Sequence, residues 1–198
     1  MAVWEKRGGE DYLRTAWSGG VTTQLHIAPE GARYADRDFL WRISSATVEL
    51  EESDFTPLPD YERFLAILEG ELVLTHNGGA PIRLRPLEVH RFSGADGTHS
   101  RGRCRDFNLM LRRGAAQGLM EALRLSGESR ELRPEPWAEE LLLFCVRGGC
   151  RVGSGERSET LSPGESLLVR GREPLRLGAE GPEGAELMCC RMGRLPEK

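Results

Sequence analysis

Short apolar runs alternate along the chain with polar stretches that carry glycine or proline. Runs of this kind, bounded by turn-forming residues, predict β-strands. In the first half they place strands at Gln24–Ala28, Leu40–Glu49, Phe64–Leu68, Glu71–Thr75, Ile82–Leu84, Val89–Phe92 and Asp106–Arg112. In the second half strands fall at Leu141–Val146, Glu159–Leu161, Ser166–Val169 and Ala185–Met192. Helical periodicity is rare. The stretch AAQGLMEALRLS fits a short helix; because Gly118 interrupts the helical reading, it fits a strand ending in Ala122–Ser126 equally well.

A pattern occurs twice. FLAILEGELVLTHNGGAPIRLRPLEVHRFSG in the first half and LLLFCVRGGCRVGSGERSETLSPGESLLVRG in the second share one order of features. Each reads as strand, Gly turn, strand, polar turn, short strand, Pro-containing turn and strand. The likeness lies in pattern rather than residue identity. Between them SGESRELRPEPWAEE, polar and Pro-bearing, reads as a linker. The expected fold class is therefore all-β: a bicupin, two jelly-roll-like barrels in tandem over residues 1–114 and 115–198, with strands free to exchange between them.

Composition narrows the partners. At 198 residues with 39% hydrophobic content, the chain is long enough for one large β domain or two small ones. The net charge is -4 and no basic block interrupts it, which argues against nucleic acid. No apolar run reaches the length of a membrane span, and MAVWEKRGGE does not read as a signal peptide, so the expected location is the cytoplasm. The five cysteines form no CxxC and are expected to be reduced and mostly buried.

Metal chemistry finds little support. His26, His76, His90 and His99 are not paired as HxH or HxxxH, and the second half contains no histidine. His76, in the turn HNGG, is expected to be solvated, whereas His90 and His99 flank a turn and could approach one another. No metal and no cofactor is expected. There is no GxSxG, P-loop or GxGxxG, so no catalytic residue is nominated.

Polar residues within strands say more. Strand alternation puts Arg42 and Ser44 on one face of LWRISSATVE. It puts Asp106 and Asn108 on one face of DFNLMLR, opposite Phe107, Leu109 and Leu111. Such faces either meet solvent or line a barrel, where they need partners. Arg63, after the turn LPDYE, is either a surface ion-pair residue with Glu62 or Asp60 or a fork of donors for a carboxylate. Trp17, beside Ser18, Gly19 and Gly20, is either part of a plain turn or an aromatic wall next to accessible backbone N–H groups.

The segments WSGGVTTQL, FLWRISSATVELEESDFTPLPDYERFLAILEGELVLT and FSGADGTHSRGRCRDFNLMLRR resemble the HutD/Ves family over about Trp17 to Arg113. WRISSATVE, LP-x-x-x-R and DFNLM carry most of the resemblance. It implies a bicupin without the usual metal ligands and no established catalytic activity. It also implies a link to histidine degradation through binding of formylglutamate, as a brake on pathway output. Trp17, Arg42, Arg63, Asp106 and Asn108 fall on family motif positions, with Arg63 expected to contact the ligand carboxylate. The chain departs from the family in its short WSGG, where a longer W-x-N-G-G-G is usual, and in Asp60, where the turn usually holds Gly.

The resulting expectation is a metal-free cupin that binds a small carboxylate metabolite through Arg63, Arg42, Trp17, Asp106, Asn108 and Ser44. The site lies in the first barrel and the second is structural. Exposed strand edges favour a homodimer. Two other readings remain at this point: a cupin isomerase or hydrolase with Asp106 as base and Arg63 as anchor, and a protein-interaction module with a vestigial site.

Overall fold

The computed structural model describes residues 2–196. Its first strands are β1 (Val3–Arg7), β2 (Leu13–Trp17), β3 (Gly20–Ala28), β4 (Trp41–Val48), β5 (Glu52–Asp54), β6 (Tyr61–Gly70) and β7 (Leu72–His76). Next come β8 (Ile82–Leu84), β9 (Val89–Ser93), β10 (Thr98–Arg101), β11 (Cys104–Arg112), β12 (Ala116–Leu125) and β13 (Arg130–Leu132). The last are β14 (Glu140–Arg147), β15 (Cys150–Ser154), β16 (Arg157–Leu161), β17 (Ser166–Arg170), β18 (Leu175–Ala179) and β19 (Ala185–Arg194). Two 3₁₀ turns, Gly9–Asp11 and Tyr34–Asp36, are the helical elements among the described residues.

The chain divides into two units. Tyr12–Gln117 forms one; the residues up to Asp11 and from Gly118 onward form the other. The division expected after residue 114 thus falls after Gln117, and the N-terminal segment leaves the first barrel. The reason is β1, which pairs antiparallel with β17 from Val3 opposite Arg170 to Arg7 opposite Ser166. Its Trp4 is buried in the apolar core of that unit. Local pattern cannot reveal a strand partner so distant in sequence.

The first unit has a six-stranded sheet in the order β2-β3-β4-β11-β6-β9 and a four-stranded sheet β5-β10-β7-β8. Leu65 and Ile67 of β6 pack with Leu72 and Leu74 of β7, so the core is built from both sheets. Inward residues alternate along each strand because successive side chains point to opposite faces. Gly70 makes the β6–β7 link possible. Its φ is +84°, and a Cβ there would lie 2.3 Å from the Arg103 carbonyl oxygen.

The second unit repeats this plan. Its sheets run β1-β17-β14-β19-β12 and β13-β18-β15-β16. Adding eight to each label carries β4-β11-β6-β9 onto β12-β19-β14-β17, and β5-β10-β7-β8 onto β13-β18-β15-β16. Gly148, with φ +69° and a Cβ position 2.2 Å from the Gly184 carbonyl oxygen, repeats the role of Gly70.

The ambiguous AAQGLMEALRLS is strand β12, next to β19 in its sheet. Leu123 and Leu125 enter the core while Arg124 between them is exposed, a period of two that a helix would not preserve. β1, β2, β5, β10, β13 and β18 had no predicted counterpart. All five residues of β2 are exposed, so no apolar alternation marks it; pairing with β3 makes it a strand.

Candidate functional site

Register places the polar residues of the first unit on one floor. Met110 of β11 stands opposite Arg42 of β4 on one side and Arg63 of β6 on the other. Two residues along, Asn108 stands opposite Ser44 and Leu65. Two further, Asp106 stands opposite Ile67, just past a bulge between Arg105 and Asp106. On the other face of β11, Phe107, Leu109 and Leu111 are buried. The polar floor faces a cavity of about 590 Å³ lined by Trp17, Arg42, Ser44, Arg63, Asp106 and Asn108 together. Five of these are buried, and Trp17 is 39% exposed. The Trp17 ring covers Gly19, where a Cβ would come within 2.1 Å of the indole.

The two guanidiniums are held differently. Arg42 donates from Nε to Gln24 Oε1 at 2.8 Å and from Nη1 to Ser44 Oγ at 3.2 Å. Its guanidinium lies 4.3 Å from the Tyr34 ring centre, and burial lowers its pKa. Arg63 is only 6% exposed and has neither a hydrogen bond nor an ion pair within the described residues; its Nε is shut off from solvent. Aromatic rings flank it, Phe55 at 4.7 Å and Phe92 at 5.3 Å. Burial brings its pKa down to about 10, still charged at neutral pH, with Tyr34 and Asp106 acting in the opposite direction. The surface ion-pair reading of Arg63 is therefore wrong. Glu62 pairs instead with Arg91 at 2.8 Å, because alternation turns Glu62 outward and Arg63 inward.

Asp106 accepts a hydrogen bond from the Ala46 N–H to Oδ1 at 2.8 Å. Burial pushes its pKa up to about 6 against the lowering effects of the Ala46 N–H, Arg63 and Arg42. The Asn108 Oδ1 is buried without a donor. The cavity thus presents a cation without a counterion and an acceptor without a donor, both desolvated, and each is stabilised by a ligand that completes it.

Sequence reasoning passed over Gln24, Tyr34, Phe55 and Phe92. Gln24 was visible only through pairing, since it stands opposite Ser44. Tyr34 comes from a single 3₁₀ turn and Phe55 from an irregular segment, and neither carries a periodic signal. The histidine expectations need correction. His76 is half-buried, with Nδ1 2.8 Å from Thr98 Oγ1 and Nε2 2.9 Å from His90 Nε2. His90 therefore meets His76 rather than His99, which pairs with Asp54 at 2.9 Å. Alternation explains this: His90 points inward beside Leu65, while His99 lies on the exposed face of β10.

Two tandem barrels of this topology define a bicupin. The family model described as HutD matches residues 9–187, and the chain belongs to the HutD family. Among solved structures it is similar to the conserved protein of unknown function PA5104 from Pseudomonas aeruginosa PAO1. The two share 26% identity with a TM-score of 0.84, over 96% of this chain and 99% of that one. It is similar also to HutD from Pseudomonas fluorescens SBW25, at 22% identity and TM-score 0.80, over 98% and 100%. A more distant likeness, 12% identity with TM-score 0.67 over 96% and 98%, is to the pirin YhhW from Escherichia coli, solved with nickel(II). No curated protein matches the sequence.

The residues on the cavity floor do not fit a metal ion. Two guanidiniums repel a cation, and no group of three His, Cys, Asp or Glu capable of holding one occurs among the described residues. No helix among the described residues is long and apolar enough to cross a membrane.

Proposed function

We propose that the first barrel binds a small organic carboxylate of the formylglutamate type without a metal ion. On this reading the protein is a cytoplasmic accessory or regulatory factor in histidine utilisation. The observation that carries it is Arg63, a buried guanidinium without a counterion beside a cavity of about 590 Å³. A desolvated cation is costly unless an anion joins it, and a carboxylate offers two oxygens to the parallel N–H donors of the fork. Rings on the Arg63 flanks keep water away and strengthen that attraction.

Removing one partner of a desolvated charge pair costs about 2–5 kcal/mol. Arg63→Ala should therefore weaken formylglutamate binding roughly thirtyfold or more. Arg63→Lys should recover only part of the loss, because the charge stays and the fork goes. Calorimetric titration of both variants, with circular dichroism to confirm folding, measures this. Unchanged affinity in folded Arg63→Ala would refute the reading.

One observation favours an enzyme as second reading. Asp106, with a pKa near 6 beside an anchoring arginine, has the properties of a general base. Turnover of formylglutamate by the wild type, absent in Asp106→Asn, would establish it.

A further inference from the structure

Asn108 lies at the middle of the cavity floor, between the row of the two guanidiniums and the row of Asp106. It is 5% exposed, and its Oδ1 has no donor. Neither cross-strand neighbour supplies one. Leu65 cannot, and Ser44, whose Oγ accepts from Arg42 Nη1 at 3.2 Å, makes no hydrogen bond to it. The next residue on the same face, Asp106, is itself an acceptor, taking the Ala46 N–H. The two guanidiniums thus lie in the Arg42–Met110–Arg63 row, the unmet Asn108 Oδ1 in the next row and the Asp106 carboxyl in the row beyond.

A plain carboxylate satisfies only the donor end. Its oxygens accept and cannot donate, so Asn108 Oδ1 would stay unpaired under the ligand. Resting on the carboxylate-binding reading, we propose that Asn108 determines specificity by accepting a hydrogen bond from an N–H or O–H of the ligand whose carboxylate lies on Arg63. Arg63 and Asn108 are diagonal neighbours on paired strands, a relation that spans about 7–8 Å. The donor therefore belongs within a few bonds of the carboxyl group, as in N-acylated or hydroxylated short-chain acids. Sites that hydrogen-bond a ligand N–H or O–H discriminate strongly against analogues that lack it, because the buried protein group is left unpaired.

The test compares acids that differ only in the donor: 2-hydroxyglutarate with glutarate, and N-acetylglutamate with its N-methylated form. Calorimetric titration of the full chain should show the donor-bearing member of each pair binding about tenfold tighter or more. In Asn108→Leu the two members of each pair should bind alike. If the wild type binds the paired acids equally, the Asn108 inference fails while the carboxylate reading stands. An equal loss for every acid in Asn108→Leu would likewise overturn it, marking Asn108 as structural. If no acid binds the wild type, both proposals fall. The wild-type comparison decides the matter even where Asn108→Leu does not fold.

Discussion

The two barrels carry opposite contents at positions that their register makes equivalent. In the first, β6 sets Arg63, Leu65 and Ile67 opposite Met110, Asn108 and Asp106 of β11. In the second, β14 sets Leu141, Leu143 and Cys145 opposite Arg191, Cys189 and Leu187 of β19. Leu141, Cys189 and Leu187 thus occupy the places of Arg63, Asn108 and Asp106. All three belong to a continuous apolar core, whereas the first barrel keeps a cavity of about 590 Å³. The charge that the second barrel does carry there, Arg191, is met by Glu121 at 2.6 Å. Arg63 forms no ion pair among the described residues, and its buried Nε has no hydrogen-bond partner. One fold therefore accepts either filling, and its stability needs only the apolar one. A buried polar group without a partner breaks the consistency expected of a core, and such breaks concentrate where function requires them.

Exchange of these contents is the strongest way to break the comparison. Leu141→Arg puts a guanidinium into the apolar core of the second barrel, where Leu141 is 5% exposed. It should destabilise the protein by about 4–5 kcal/mol or prevent folding. Urea denaturation measures it, and a loss below about 1 kcal/mol would show that the second barrel is as permissive as the first.

A smaller effect comes from Asp106. Its folded-state pKa is about 6 against an ordinary value of 3.8. An acid whose pKa rises on folding binds its proton more tightly in the folded state. Its stabilising contribution is thus complete below pH 4 and lost as pH rises through 6. The span corresponds to about 3 kcal/mol. Asp106→Asn keeps an acceptor for the Ala46 N–H and removes the titration. Its stability relative to wild type should rise between pH 4 and pH 7 by that order, as read from denaturation midpoints across the range. A flat difference would mean that Asp106 is ionised in the folded state throughout.

The smallest expected change converts the first barrel toward the second. Arg63→Leu removes an uncompensated buried cation and should raise stability by about 1–3 kcal/mol while abolishing carboxylate binding. Thermal denaturation together with titration checks both. A destabilised Arg63→Leu would mean that the guanidinium's packing on Phe55 and Phe92 outweighs its desolvation.

Much of this site was legible from strand alternation. Arg42 and Ser44 share a face, as do Asp106 and Asn108, and both pairs lie on the cavity floor. Alternation could not say whether that face met water or the barrel interior, since both give the same period of two. The covering sheet decides, and it is built from strands such as β5 and β10 that are too short and polar to announce themselves. Gln24 joined Arg42 only through pairing of β3 with β4, and Tyr34 and Phe55 came from segments without period.

The sequence by itself determined an all-β chain with a repeated barrel pattern, and the polar residues that stand among its apolar strands. Those properties depend on local order, which every residue and its near neighbours carry. Tertiary structure alone decided that β1 joins the distant second unit, that His76 meets His90, and that Arg63 is buried without a counterion. Each of these depends on which strands pair and which sheet covers which face. Such contacts link residues far apart in the chain, where no local period records them.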